Sequence, residues 1–138
     1  MSNNTQRVIL DTNFWISFLL TGNYARLDKL LLAQTVVLLF SQELLDEFLR
    51  VARRPKFRKY FAPDDVDDLL ETIDEHAQFI TVTTAVTLCR DVKDNFLLAL
   101  ALDGKATHLI TDDKDLLELR AIGESRILTM TEFENSGS

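Results

Sequence analysis

The sequence predicts an α/β fold with a central, mostly parallel sheet of about five strands. Apolar runs of four or five residues, too short for helices, alternate with longer segments whose apolar residues recur at helical spacing. Polar and turn-forming residues separate the two kinds of segment. This alternation is typical of a parallel sheet that is covered by helices on both faces and joined by right-handed crossovers.

The five predicted strands are short apolar runs, several of them rich in β-branched residues, as in buried parallel strands. They cover residues 7–10, 36–40, 79–82, 107–111 and 126–130. The predicted helices have apolar residues at intervals of three and four. They cover residues 14–20, 24–34, 42–54, 63–77, 96–102 and 114–119.

Capping residues support the helix boundaries. Asp11-Thr12-Asn13 can cap the first helix, and Ser41 can cap the helix that Pro55 must end. Pro63 suits the first turn of the next helix, and Gly104 suits the end of the helix at 96–102. These residues place the helix ends next to the strand ends.

Length and composition predict one globular domain over residues 7–134, with loose tails at 1–6 and 135–138. The chain has 138 residues, of which 46% are hydrophobic and 27% charged. No apolar run approaches the roughly 20 residues of a membrane span, and no signal peptide is apparent. The single Cys89 and two histidines do not form a usual zinc motif. We therefore expect a cytoplasmic protein without a membrane partner.

The charge distribution leaves two interpretations of the basic residues. A net charge of −7 argues against a generally basic nucleic-acid binder. Between residues 50 and 59, however, there is no acid, and the basic residues are Arg50, Arg53, Arg54, Lys56, Arg58 and Lys59. This basic segment is either a site for a polyanion or a solvated helix end that favours cations.

Four acidic positions are candidates for a shared site. Asp11 and Asp113 follow predicted strands, Asp94 precedes an apolar helix, and Glu47 lies at the edge of the apolar stripe of its helix. Each acid alone can be a cap or a surface residue. Together at the carboxyl ends of the strands they would repel one another unless a cation neutralised them. Such a cluster favours Mg²⁺ or Mn²⁺ and hydrolysis of a phosphodiester.

Four segments in order resemble the motifs of PIN-domain ribonucleases, and the nearest subgroup is the VapC-like toxins of toxin–antitoxin pairs. The segments are Val8-Ile9-Leu10-Asp11-Thr12-Asn13, Ser41-Gln42-Glu43-Leu44-Leu45-Asp46-Glu47-Phe48, Arg90-Asp91-Val92-Lys93-Asp94-Asn95 and Leu109-Ile110-Thr111-Asp112-Asp113-Lys114-Asp115-Leu116-Leu117. The resemblance covers the chain from about residue 7 to residue 133.

The resemblance implies a Rossmann-like α/β/α domain that cleaves single-stranded RNA with Mg²⁺ or Mn²⁺. It assigns the metal-binding and catalytic acids to Asp11, Glu47, Asp94 and Asp113, with Asn13 and Thr111 as polar supports. Asp115 suits the first turn of the helix at 114–119, and an outer contact to the waters of the metal makes it a third supporting residue. It also implies a homodimer and an antitoxin protein as partner. Apart from the resemblance, the dense positive charge that begins one turn after Glu47 would place substrate phosphates along Arg50, Arg53, Arg54 and Lys56.

One departure concerns the last motif. The subgroup usually has a small residue before the final acid, whereas this chain has Asp112. Either acid of the pair can therefore face the metal, and the match to the motif selects Asp113.

Other functions remain open at this point. A phosphatase of the haloacid-dehalogenase kind needs a second aspartate where Asn13 stands, and a receiver domain needs an acceptor aspartate after its third strand. This chain has neither aspartate, which argues against both classes. A degenerate PIN-like module that binds RNA or protein without cleavage, and a housekeeping nuclease that is not a toxin, are the remaining alternatives.

Overall fold

The computed structural model describes residues 5–85 and 95–136. Asp94, a predicted metal ligand, lies outside the described residues, as do Cys89 and most of the third motif. Within the described residues no helix is both long enough and apolar enough to cross a membrane.

The strands of the described residues form one sheet in the order β3-β2-β1-β4-β6-β5. They are β1 Gln6–Leu10, β2 Val36–Phe40, β3 Gln78–Phe79, β4 His108–Ile110, β5 Ala121–Ile122 and β6 Ser125–Leu128. All neighbours pair in parallel except β5 and β6. The prediction of a mostly parallel α/β sheet is thus confirmed.

Helices connect and flank these strands. In the described part of the chain they are α1 Thr12–Thr21, α2 Ala25–Leu32, α3 Gln42–Ala52, α4 Pro63–His76, α5 Asn95–Asp103, α6 Lys114–Leu119 and α7 Met130–Ser136. A 3₁₀ turn, Pro55–Phe57, follows α3, as expected where proline ends a helix.

The core lies around β1 and α5. Val8 and Ile9 of β1 are fully buried, and residues 97–101 of α5 are all buried. Each fully buried leucine in this helix contributes about 1.5–3 kcal/mol relative to exposure. Gly104, after α5, permits close packing, because a Cβ atom there would lie 2.9 Å from the Leu39 side chain. This rigid centre fixes the carboxyl ends of β1 and β4.

The end of the chain differs from the prediction. The strand predicted at 126–130 ends at Leu128, and Met130 begins α7, which includes the residues 135 and 136 that we assigned to a loose tail. Thr129 Oγ1 accepts a hydrogen bond from the Glu132 N–H, and Glu132 Oε1 accepts one from the Thr129 N–H. This reciprocal pair is a capping box and starts the helix.

Two further predictions about strands were wrong in detail. The predicted strand 79–82 is β3 at 78–79, because β2 offers it partners only at Leu39 and Phe40. The two-residue strand β5 was not predicted; it forms a hairpin with β6 through a turn in which Gly123 has a φ of +57°.

A candidate metal centre at the carboxyl ends of β1 and β4

The order of the strands creates a switch point between β1 and β4. The chain passes from β1 to β2 and β3 on one side, then returns to β4 on the other side. Leu10, the last residue of β1, is the register partner of Ile110, the last residue of β4. Open α/β sheets bind ligands at such a point, beyond the carboxyl ends of the strands.

Asp11 lies directly at this switch point. Its backbone N–H donates to the Ile110 carbonyl oxygen at 3.0 Å, and the residue is only 8% exposed. It occupies the N-cap position of α1, yet its side chain makes no capping hydrogen bond. The N–H groups of Thr12 and Asn13 at the start of α1 still favour its ionised form, so Asp11 acts in part as a helix cap, although it is also buried against the end of β4.

Thr111 joins Asp11 to Asp113. The Thr111 hydroxyl donates to Asp11 Oδ2 at 2.7 Å and accepts from the Asp113 N–H at 3.0 Å. Thr111 is completely buried; its hydrogen bond to Asp11 is buried, and the bond that it accepts from the Asp113 N–H is partly buried. This bridge places the acid-bearing turn after β4 against the acid after β1.

Asp113 caps α6 with one of its two carboxylate oxygens. Oδ1 accepts from the N–H groups of Asp115 at 2.8 Å and Leu116 at 3.4 Å, whereas these bonds do not involve Oδ2. Asp113 and Asp115 are half-buried, and Asp112 is exposed. Of the neighbouring pair, Asp113 is the acid whose N–H bonds Thr111 and whose charge raises the pKa of Asp11.

The electrostatics of Asp11 are unfavourable in the absence of a cation. Burial raises the pKa of its carboxyl above the ordinary value of 3.8, and the charge of Asp113 also raises it. The Thr111 hydroxyl and the N–H groups of Thr12 and Asn13 lower the pKa without cancelling the effect of burial. A positive ion beside Asp11 would favour the ionised form.

Glu47 lies at the edge of the apolar stripe of α3, as predicted. It is half-buried, whereas Glu43 and Asp46 on the same helix are exposed. Glu47 Oε1 accepts two hydrogen bonds from Arg50, at 2.6 and 3.1 Å, and both residues line an open cleft with Phe96 of α5. Such partly exposed ion pairs contribute only about 0.2–1 kcal/mol, so little opposes the release of Glu47 to another cation.

The described residues contain no group of three or more His, Cys, Asp or Glu side chains close enough to hold a metal ion. Of the four predicted acids, the structure links Asp11 and Asp113 through the hydrogen bonds of Thr111. Carboxylate and hydroxyl oxygens are the donors that hard divalent ions prefer, so the chemistry of this part of the site fits Mg²⁺ or Mn²⁺. Asn13, a predicted support, is exposed on the first turn of α1.

The basic segment is divided between two surfaces. Arg50 lines the cleft beside Glu47. Arg53 and Arg58 line a separate groove of about 340 Å³ between α3 and α4, together with Phe57, Phe61 and Val66. Arg50 therefore lines a different cleft from Arg53 and Arg58.

Sequence reasoning missed two residues near the site. Phe96 was assigned to a helix buried on all sides, but it is half-buried and lines the cleft with Glu47. Thr12 was considered only as part of a capping segment, yet it is 5% exposed and its hydroxyl is unpartnered within the described residues. The sequence offers no local signal for either property, because both depend on packing between elements.

Comparisons with known proteins support the fold. A family model described as PIN domain matches residues 7–115. The chain is also similar to a chain in the crystal structure of VapBC2 from Rickettsia felis bound to a DNA fragment from their promoter. The TM-score is 0.59 at 14% identity, over 88% of this chain and 97% of that chain. No curated protein matches the sequence significantly.

Proposed function

This chain belongs to the PIN domain family, and from that premise we propose that it is an endoribonuclease that hydrolyses phosphodiester bonds of single-stranded RNA with Mg²⁺ or Mn²⁺. The observation that carries the proposal is the hydrogen-bonded link from the Asp11 carboxylate through the Thr111 hydroxyl to the backbone N–H of Asp113. Burial raises the pKa of Asp11, so a cation beside it would favour the ionised carboxylate, and Asp113 caps α6 through Oδ1 in bonds that do not involve Oδ2.

The roles of the residues follow from their positions. Asp11 and Asp113 would hold the ion, and we assign Glu47 and Asp94 to the same site. Thr111 fixes the orientation of the Asp11 carboxylate by its 2.7 Å hydrogen bond. A bound divalent ion supplies Lewis-acid polarisation of the phosphoryl group and makes water a better nucleophile near neutral pH. Asp115 and Asn13 would support the ligands from the first turns of α6 and α1.

Arg50 has a distinct role in this proposal. It donates to Glu47 in the cleft, and it would contact a substrate phosphate there if Glu47 held a metal ion instead. Phe96 presents an aromatic surface in the same cleft, which suits stacking on an unpaired base. Arg53, Arg54 and Lys56 would contact phosphates further along the RNA.

We also propose that the nuclease is a VapC-like toxin that forms a homodimer and is silenced by an antitoxin protein. The support is the order of the four motifs, together with the likeness in fold to a chain of the Rickettsia felis VapBC2 complex. A housekeeping nuclease is the alternative within the same chemistry. Co-expression with the product of a neighbouring small gene, followed by assays of growth and of complex formation, would distinguish them.

The non-catalytic alternative, an RNA-binding module, is favoured by one observation, the ion pair that occupies Glu47. The test is cleavage of single-stranded RNA with Mg²⁺ or Mn²⁺ and with excess chelator. We expect cleavage only with metal, and a loss of at least about tenfold in Asp11→Asn. Asp74→Asn, an exposed acid on α4, is the matched control and should cleave normally. RNA that is bound but never cut would identify a binding module, and cleavage in chelator would refute the metal mechanism.

A further inference from the structure

Thr12 is the first residue of α1 and directly follows Asp11. It is 5% exposed, and its Oγ1 makes no hydrogen bond within the described residues. A hydroxyl buried without a partner destabilises a fold, because it loses its bonds to water and gains none. Native proteins rarely keep such a group unless an ion, a water or a ligand completes it.

Other buried hydroxyls in the described part of the chain have partners. Ser41 accepts from the Leu44 N–H as the cap of α3, and Ser125 donates to the Ala106 carbonyl oxygen. Thr111 bonds both Asp11 and Asp113. Among the buried hydroxyls of the described residues, only that of Thr12 has no hydrogen-bond partner.

Local structure does not supply that purpose. A threonine inside a helix can bond the carbonyl oxygen four residues earlier, but Thr12 is the first residue of α1 and has no preceding helical turn. It is also not the N-cap residue, which is Asp11. Valine would fill nearly the same volume without an unpaired oxygen, so packing alone does not explain the hydroxyl.

Thr12 stands beside the candidate metal centre in the chain. It directly follows Asp11, whose carboxylate accepts from the Thr111 hydroxyl, and that hydroxyl accepts from the Asp113 N–H. A hard ion such as Mg²⁺ keeps several waters when few carboxylates hold it. Those waters need acceptors around the ion, and a hydroxyl oxygen is an acceptor.

We propose that Thr12 is a positioning residue of the metal centre, whose buried hydroxyl accepts a hydrogen bond from a water of the hydrated ion and so helps to fix it against Asp11. The inference rests on the proposed metal site. In the metal-bound protein, the Thr12 hydroxyl would have a water of the ion as its hydrogen-bond partner.

The test is a metal titration followed by thermal unfolding, with Thr12→Val and Thr12→Ser. In chelator, we expect Thr12→Val to melt at the same or a higher temperature than the wild type, because an unpaired polar atom is replaced by a methyl group. We expect its apparent Kd for Mn²⁺ and Mg²⁺ to rise about tenfold, the lower end of losses for residues behind the ligands. Thr12→Ser keeps the hydroxyl and should bind metal with nearly wild-type affinity.

Thr107→Val is the matched control. Thr107, just before β4, has a hydroxyl that accepts from the Arg7 N–H and donates to the Arg7 carbonyl oxygen. Its loss should lower the melting temperature in chelator and leave the Kd for metal unchanged. The two valine variants therefore give opposite patterns, which a merely structural role of Thr12 would not produce.

The outcomes separate this inference from the proposed function. If millimolar Mg²⁺ and Mn²⁺ leave wild-type melting unchanged, the metal site is refuted and the role of Thr12 with it. If the wild type responds but Thr12→Val binds metal equally well, or melts lower in chelator, only the role of Thr12 is refuted. Should the valine variant fail to fold, Thr12→Ala is judged by the same change in Kd.

Discussion

The two ends of strands β1 and β4 carry polar clusters with opposite properties. We call Asp11, Thr12, Thr111 and Asp113 the carboxyl-end cluster, and Arg7, Asp103, Gly104 and Thr107 the amino-end cluster. In the amino-end cluster, Arg7 Nε donates to the Gly104 carbonyl oxygen at 2.8 Å, and the Arg7 backbone exchanges two hydrogen bonds with the Thr107 hydroxyl. In the carboxyl-end cluster, a carboxylate is buried and a hydroxyl is unpaired.

The difference between the two clusters is clearest in the pKa shifts of two aspartates, Asp103 and Asp11. Asp103 Oδ2 accepts from the N–H groups of Thr83 and Thr84, and Oδ1 accepts from the Thr84 hydroxyl, so these bonds hold its pKa below the ordinary value. Burial raises the pKa of Asp11 instead. The polar groups of the amino-end cluster bond one another or nearby threonines, whereas the carboxyl-end cluster keeps a buried carboxylate and an unpaired hydroxyl, which we propose that a metal ion completes.

The largest effect we predict is on the rate of RNA cleavage within the turn after β4. Asp113→Asn should reduce the rate at least about tenfold, because it removes the carboxylate that we propose as a metal ligand together with Asp11. Asp115→Asn should have a smaller effect, and Asp112→Asn, at an exposed position, should be nearly silent. Single-turnover rates at saturating Mn²⁺ provide the ranking.

Asp103→Asn extends this ranking to the amino end and should change the single-turnover rate less than about threefold, well short of the tenfold expected for a ligand. If Asp112→Asn reduced the cleavage rate most, Asp112 and not Asp113 would be the metal ligand. If Asp113→Asn and Asp103→Asn reduced the cleavage rate equally, the two ends of the strands would not differ in function.

A smaller effect is expected on RNA binding. Replacing Arg53, Arg54 and Lys56 by Gln should weaken binding several-fold and reduce the slope of log K against log salt by about 1 for each phosphate that the variant no longer neutralises. Lys105→Gln with Arg126→Gln removes two exposed cations near the amino ends of β4 and β6 and should leave the slope unchanged. Identical slopes in both variants and the wild type would mean that the basic segment is solvated surface or a protein interface.

The smallest effects concern stability in chelator, and they should have opposite signs. Because the pKa of Asp11 is raised in the folded protein, its stabilising contribution is present below about pH 3.8 and is lost as the pH rises through the folded pKa. Asp11→Asn should therefore melt at the same or a higher temperature than the wild type at pH 7.

Asp103 behaves in the reverse sense. Its lowered pKa gives a contribution that is present above about pH 3.8 and is lost as the pH falls through the folded pKa. Asp103→Asn should melt lower than the wild type at pH 7, and the difference should shrink in acid. Melting curves of both variants between pH 3 and 7 test the contrast, which a shift of the same sign in the two variants would contradict.

The sequence predicted much of this arrangement, because local chemistry determines it. Ser41 as a helix cap and Glu47 at the edge of an apolar stripe are properties of one helix, and both are confirmed. The Thr129–Glu132 capping box was also visible in the sequence but was overlooked in favour of a strand. The pairing of β1 with β4, which brings Asp11 to Thr111, depends on strand order and could only be expected from the general rule for parallel sheets.

Other features could not be predicted from any local pattern. The unpaired hydroxyl of Thr12 results from what packs around the start of α1, and threonine at that position looks like ordinary capping chemistry. The position of Phe96 in the cleft depends on the packing of α5 against α3. The residues that distinguish the two ends of the sheet are therefore defined by tertiary contacts.

The most direct test of a metal centre at the carboxyl end is a crystal structure of the protein soaked in Mn²⁺, with the ion located by anomalous scattering. We predict a peak coordinated by the carboxylates of Asp11 and Asp113, and no peak at Asp103. A structure at millimolar Mn²⁺ with no peak between Asp11 and Asp113, or with Asp112 coordinating and Asp113 in solvent, would contradict this prediction.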